Sequence, residues 1–151
     1  MINHIYWFSH YNFDGPSVRY RANYPLKYLK ENHNVKYSLV IPGYSLKRIL
    51  NFLATYFKAF FFRKKNSVIV IQKIYRKGLY TSLLKFLLLF RKKNTIYDVD
   101  DAYYIKYGNK VVDYFAKKCQ NCTVGSQYLF DYFKKLNPNC FILTNISEIV
   151  N

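Results

Sequence analysis

Apolar residues along this chain fall into short, nearly unbroken runs separated by longer stretches with helical spacing. His4 to Ser9 (HIYWFS) is a run of strand length, closed by a turn cluster of Asn12, Asp14, Gly15 and Pro16. Val18 to Asn32 then reads as a helix with Tyr20, Tyr24, Tyr28 and Leu29 as its buried stripe. Pro25 predicts either a kink in that helix or a helix that starts near it. The second strand is Val35 to Gly43, the third Ser67 to Lys73, the fourth Asn94 to Asp100, the fifth Cys122 to Ser126 and the sixth Cys140 to Asn145, with helical segments between them. Short apolar runs suit central strands covered on both faces, and their alternation with helices predicts an α/β fold: a doubly wound, Rossmann-like, mostly parallel sheet of about six strands with helices on both faces. Ligands in such folds bind where the strands end at their carboxyl edge.

Two helical segments are unusually greasy. Leu46 to Lys65 carries Leu46, Ile49, Leu50, Leu53, Phe57, Phe60 and Phe61 on one broad apolar face, and Lys77 to Lys93 repeats the theme. Their uncharged stretches fall short of the ~20 apolar residues that span a bilayer. The pattern predicts that both helices cover the sheet with these faces in the core. A residual Phe and Leu strip would remain, flanked by Arg63, Lys64, Lys65, Arg91, Lys92 and Lys93, to meet an anionic membrane surface.

Composition sharpens the picture. The 151 residues are 51% hydrophobic and 21% aromatic, enough for one substantial core, and 24 Lys and Arg against 8 Asp and Glu give a net charge of +16. Such a surface favours anionic partners: lipid headgroups, nucleotides, phosphorylated substrates or nucleic acid. No helix-turn-helix, RNP-like or zinc-finger pattern accompanies the charge, which argues against nucleic acid. The N-terminus has no basic region and no small-residue cleavage site, and the odd count of three cysteines fits a reducing compartment, so a cytoplasmic location is expected. Cys119 and Cys122 form a C-x-x-C without a second ligand pair, and with Cys140 they read as buried thiols rather than a metal or redox site.

Against this basic background TIYDVDDAYY, residues 95 to 104, places Asp98, Asp100 and Asp101 where the fourth strand runs out. The two-residue period puts Asp98 and Asp100 on one face and Asp101 on the other. Adjacent carboxylates repel one another unless cations, sugar hydroxyls or other donors compensate them. Asp98 reads as structural, and Asp100 and Asp101 read either as helix caps and salt-bridge partners in a very basic chain or as the candidate catalytic pair. Gly15 either lets a phosphate approach the backbone or serves a plain turn. Ser17 is an N-cap candidate, as is Ser126 for a helix from Gln127, and Arg19 and Arg21 can each pair with phosphate or carboxylate oxygens through a fork, although two residues apart they cannot share one helix face. His10 ends the first strand and is a further cleft candidate.

Three stretches, in order, carry a resemblance: DGPSVRYRANYPLKYLKE, TIYDVDDAYY and CQNCTVGSQYLFDYFKKLNPNCFILTN. Together they resemble the N-terminal half of a GT-B glycosyltransferase of family 4, the first as the opening loop and helix, the second as the family's Y-D-x-D-D stretch, the third as a strand ending in Gly-Ser before a helix. The resemblance implies sugar transfer from a nucleotide-sugar co-substrate to a glycan or lipid-linked acceptor in envelope polysaccharide biosynthesis, with no bound metal, at the inner face of the cell membrane. It implies acceptor-side roles for Asp100 and Asp101, with His10, Asp14, Gly15, Ser17, Arg19 and Ser126 as substrate-binding residues. Residues 1–145 would form the acceptor-binding domain and 146–151 the start of an interdomain linker. A donor-binding domain, supplied in cis or in trans, would complete an otherwise inactive chain. The alternative is a non-catalytic basic module that binds nucleic acid or an anionic membrane surface.

Overall fold

A computed structural model describes residues 2–10, 15–43, 45–62 and 64–143. Six strands form one parallel sheet in the order β2-β1-β3-β4-β5-β6. They are β1 (His4–Ser9), β2 (Lys36–Val40), β3 (Ser67–Gln72), β4 (Thr95–Val99), β5 (Asn121–Val124) and β6 (Cys140–Ile142). The fold is thus α/β and Rossmann-like, as the alternation of runs and helices predicts. In β1 and β3 successive residues are buried, the mark of strands covered on both faces. The described residues divide into two compact units between Val70 and Ile71.

In the first unit β1 pairs with β2 from His4 opposite Lys36 to Phe8 opposite Val40. The helix after β1 is a composite: α1 (Pro16–Val18), a π-helical stretch Arg19–Asn23, and α2 (Tyr24–His33). Pro25 explains the wide turn. It has no N–H to give and its ring would strike the carbonyl four residues back, so the helix opens just before it. The widened turn also rephases the helix. Val18, Arg21, Ala22 and Leu26 are buried, whereas Tyr24 and Tyr28 are exposed and Tyr20 and Leu29 only half-buried, which corrects the expected tyrosine stripe.

The next helix, α3 (Leu46–Phe61), is capped by Ser45, whose Oγ accepts from the Arg48 N–H. It buries Phe52, Thr55, Tyr56 and Ala59, and Phe52 meets Phe8 edge to face at 6.0 Å. Leu46, Ile49, Leu50, Phe57 and Phe61 are exposed. The core face is therefore not the broad Leu and Phe face that the sequence suggests. An aromatic and small-residue stripe at i, i+3, i+4 and i+7 packs inward, and most of the greasier face is left outside.

The second unit packs α4 (Leu79–Phe90), α5 (Tyr103–Tyr107), α6 (Lys110–Lys118) and α7 (Gln127–Phe133) with β4, β5 and β6. Tyr97 sits at its centre, its ring 5.5 Å from Phe115 and 6.3 Å from Phe133, its hydroxyl donating to the Ile74 carbonyl at 2.8 Å. Buried Asn137 closes α6: its amide donates to the Ala116 carbonyl at 2.8 Å and the Cys119 carbonyl at 3.1 Å, while its oxygen accepts from the Asn139 N–H at 2.9 Å. Cys119, Cys122 and Cys140 are buried free thiols, and burial pushes the Cys119 thiol up to about 12. Among the described residues no helix is long and apolar enough to cross a membrane. Residues 146–151, expected to begin a linker, lie outside the described residues.

Candidate functional site

β3 and β4 are neighbours in the sheet, and the chain leaves both at the same carboxyl edge. One residue past β3, the Lys73 N–H donates to the Asp98 carbonyl at 3.0 Å, extending the β3–β4 contact beyond the strand. Lys73 there adopts φ 54, in the left-handed region. The other non-glycine residues with such φ values among the described residues are Asn34 and Asn94, the type that tolerates it; a lysine is costlier by about 1–2 kcal/mol. That turn drives the Lys73 side chain inward over the residues that follow β4.

Lys73 Nζ lies 2.9 Å from Asp100 Oδ1, an ion pair off the hydrogen-bonding axis, and donates to Asp101 Oδ2 at 2.5 Å. The face of Tyr103 is 5.1 Å from the same ammonium. The lysine side chain is 2% exposed, that of Asp100 10% and that of Asp101 53%. Burial pulls the Lys73 ammonium down, but the charges and contacts of Asp100 and Asp101 outweigh it and hold its pKa above the ordinary value. Strand alternation ends at Val99, so Asp100 and Asp101 are not divided between faces as their spacing suggests: both carboxylates converge on one cation. Asp98 is buried within β4 and accepts from Thr123 Oγ1 at 2.7 Å across the paired strand, the structural role expected of it.

Gly125 makes the packing possible. A Cβ on it would stand 3.1 Å from Asp100 Cα and 3.3 Å from its carbonyl oxygen, tighter than side chains normally approach, while the Gly125 N–H donates to Val99 at 3.0 Å. The Gly-Ser turn and the aspartate stretch, read separately in the sequence, are thus in direct contact. Ser126 caps α7, its Oγ accepting from the Leu129 N–H. Beside the cluster the rings of Tyr75 and Tyr103 stack at 4.4 Å, and the space next to Lys73 and Asp101 is about 10 Å³, room for a water at most. Of the three side chains Asp101 is the one substantially exposed, so it is the one a ligand would meet. One lysine and two aspartates leave a net single negative charge there, a half-exposed carboxylate suited to accept hydrogen bonds from hydroxyls.

No protein-family model matches the chain, and no curated protein matches it.

The remaining sequence candidates are distributed between the units. His10, half-buried directly after β1, belongs to the first, as do Gly15, Ser17 and Arg19. Gly15 is the N-cap of α1 in an extended conformation, φ −64 and ψ 133, which any residue could adopt, so it is not the left-handed turn its type allows. Pro16 takes the first helical position and Ser17 lies inside the helix, so Ser17 is not the cap. Arg19 is exposed, its guanidinium 5.0 Å from the Tyr20 ring. Asp14 and Arg63 lie outside the described residues. Asp100, Asp101 and Ser126 belong to the second unit, where the turn through Gly125 brings their segments together. Sequence reasoning missed Lys73. Its signal was present: a lysine ending an apolar strand whose parallel neighbour ends in carboxylates.

Proposed function

We propose that this chain is the acceptor-side half of a nucleotide-sugar-dependent glycosyltransferase that acts with a donor-binding domain, in cis or in trans, on a glycan or lipid-linked acceptor of envelope polysaccharide. The observation that carries the reading is the Lys73–Asp100–Asp101 cluster, built at the carboxyl edge of a parallel sheet and packed against the Gly125 turn. Parallel α/β folds bind ligands at that edge. Asp101 is the residue that meets the acceptor, holding the attacking hydroxyl by hydrogen bonds. Asp100, nearly buried, and Lys73 hold Asp101 in place. In the transfer a bond forms between the acceptor oxygen and the anomeric carbon, the bond from that carbon to the nucleoside diphosphate breaks, and the hydroxyl proton passes to the departing diphosphate. Positioning of this kind lowers the barrier by removing orientational freedom before the reaction.

The exposed apolar strips support a membrane location at the inner face. On α3, Leu46, Ile49, Leu50, Phe57 and Phe61 share the exposed surface with Lys47, Arg48 and Lys58, and α4 exposes Leu79, Phe86, Leu89 and Phe90 just before Arg91, Lys92 and Lys93. Apolar residues beside basic ones are the composition of a helix lying in an anionic lipid interface.

The reading is tested by supplying the chain with a donor-binding domain, from an extended reading frame or a neighbouring gene. Transfer of labelled sugar from a nucleotide-sugar pool to membrane extract is then followed. Transfer that requires both parts supports it. Absence of transfer from every nucleotide sugar and extract tried, with both parts folded and associated, would remove it.

A further inference from the structure

Sharing Tyr75 with the space beside the acidic cluster lies an open depression of about 510 Å³ lined among others by Arg76, Lys77, Tyr107, Gly108, Asn109 and Lys110. None of its lining residues is acidic. Three features show that Arg76, one of its three basic residues, is placed rather than merely exposed. Thr81 Oγ1 donates to the Arg76 carbonyl at 2.6 Å and fixes the backbone there. The Arg76 guanidinium lies 4.5 Å from the centre of the Tyr107 ring and 5.5 Å from that of Tyr75. Its Nη2 donates to the Tyr107 hydroxyl at 2.9 Å. Tyr107 in turn is stacked at 4.9 Å on Tyr75, which is buried. Gly108, at φ 80, then turns the chain so that Asn109 and Lys110 border the same space.

We propose that this depression binds a phosphorylated small molecule of sugar-phosphate or mononucleotide size, with the phosphate taken by Arg76 and flanked by Lys77 and Lys110. A phosphate oxygen is a stronger acceptor for a guanidinium than a neutral phenol, so it displaces the Tyr107 hydroxyl from Nη2 without moving the arginine far. Holding a long side chain in place beforehand removes much of the entropy that binding would otherwise lose. The Arg76 hydrogen bond already lowers the Tyr107 phenol pKa, the response of a hydroxyl facing a strong local cation. The volume lies within the ~300–1,000 Å³ range of small-ligand pockets. Sugar phosphates and nucleotides share the recognised group, and the proposal does not rest on the glycosyltransferase reading.

The test is calorimetric titration of the purified chain with glucose 1-phosphate, UMP, inorganic phosphate and glucose. It is run at about 0.15 M salt, where a screening length of ~8 Å suppresses general attraction to the basic surface. The expected result is saturable one-to-one binding of glucose 1-phosphate or UMP, tighter than inorganic phosphate, with glucose silent; the tighter of the two names the ligand's source. Arg76→Ala should weaken that binding about tenfold or more, and Arg76→Lys, which keeps charge but loses the fork, by an intermediate factor. Lys117→Ala removes the same charge from the far end of α6 and should change affinity by less than about twofold. Absence of saturable binding overturns the proposal. So does equal weakening by Arg76→Ala and Lys117→Ala, or inorganic phosphate binding as tightly as either ring compound.

Discussion

Replacing Lys73 with methionine isolates the charge at the centre of the site. Methionine matches the lysine side chain as far as Cε and inherits the same left-handed φ, so the difference from the native protein reports chiefly the lost ammonium. Removing one partner from a buried ion pair destabilises by about 3–5 kcal/mol, because the other charge stays desolvated. Only Asp100 is left in that position, since the Asp101 side chain is 53% exposed and rehydrates; this lowers the expectation to about 2–3 kcal/mol. For a chain of this size that is a fall in Tm of about 4–12 °C, read by circular dichroism or scanning calorimetry. Adding Asp100→Asn to Lys73→Met removes the stranded charge and should restore about half of the loss or more. The pH dependence has a definite sign. The folded-state pKa of Lys73 is raised above its ordinary 10.5, so its stabilisation is complete below 10.5 and is lost as pH rises through the folded value. The gap between native and Lys73→Met proteins should therefore be constant from neutral pH to about 10 and narrow above it. Equal melting temperatures at neutral pH, or a gap that narrows on acidifying from pH 8 to 6, would refute the clamp.

Two further expectations concern the frame and the surface. Asn137→Ala leaves the Ala116 and Cys119 carbonyls and the Asn139 N–H without their buried partner, and should lower stability by about 2–4 kcal/mol in denaturant unfolding, with Asn137→Asp no rescue because it cannot donate. If the α4 end lies on anionic lipid, reversing Lys92 and Lys93 to glutamate should weaken co-sedimentation with phosphatidylglycerol vesicles by about 30-fold or more, at ~1 kcal/mol per basic residue; equal binding to neutral vesicles would remove the electrostatic account.

The centre of the sheet was legible because β1, β3 and β4 are nearly continuous buried runs. β1 matches its run from His4 to Ser9 at both ends, and β2 stops at Val40 rather than Gly43 as the chain reaches Pro42, which has no N–H for a ladder. Helix faces were harder to read. α3 is apolar over most of its circumference, so its periodicity could not tell the core stripe of Phe52, Tyr56 and Ala59 from the exposed Leu and Phe strip. The helix before Asn34 lost its phase to the π stretch, a backbone irregularity that Pro25 hints at without locating. At the site, the unusual density of Asp98, Asp100 and Asp101 drew attention to the right stretch. Their partner was harder to single out: Lys73 is one of 24 basic residues, and its place at the end of an apolar strand becomes telling only once that strand is set beside β4. Only the adjacency of β3 and β4 turns Lys73 into the residue that holds the carboxylates together.

The most direct measurement of the proposed role, that Asp101 orients an acceptor hydroxyl, is the turnover of Asp101→Asn in the chain supplied with a donor-binding domain. Asparagine keeps the size and an oxygen for Lys73 while removing the charge, so folding should be little affected. The account predicts a loss of sugar transfer of about 10²-fold or more per folded molecule, with Tm changed by no more than a few degrees. A variant that melts well below the native protein yet transfers sugar normally per folded molecule would contradict it, and the aspartates would then serve only to hold the sheet edge.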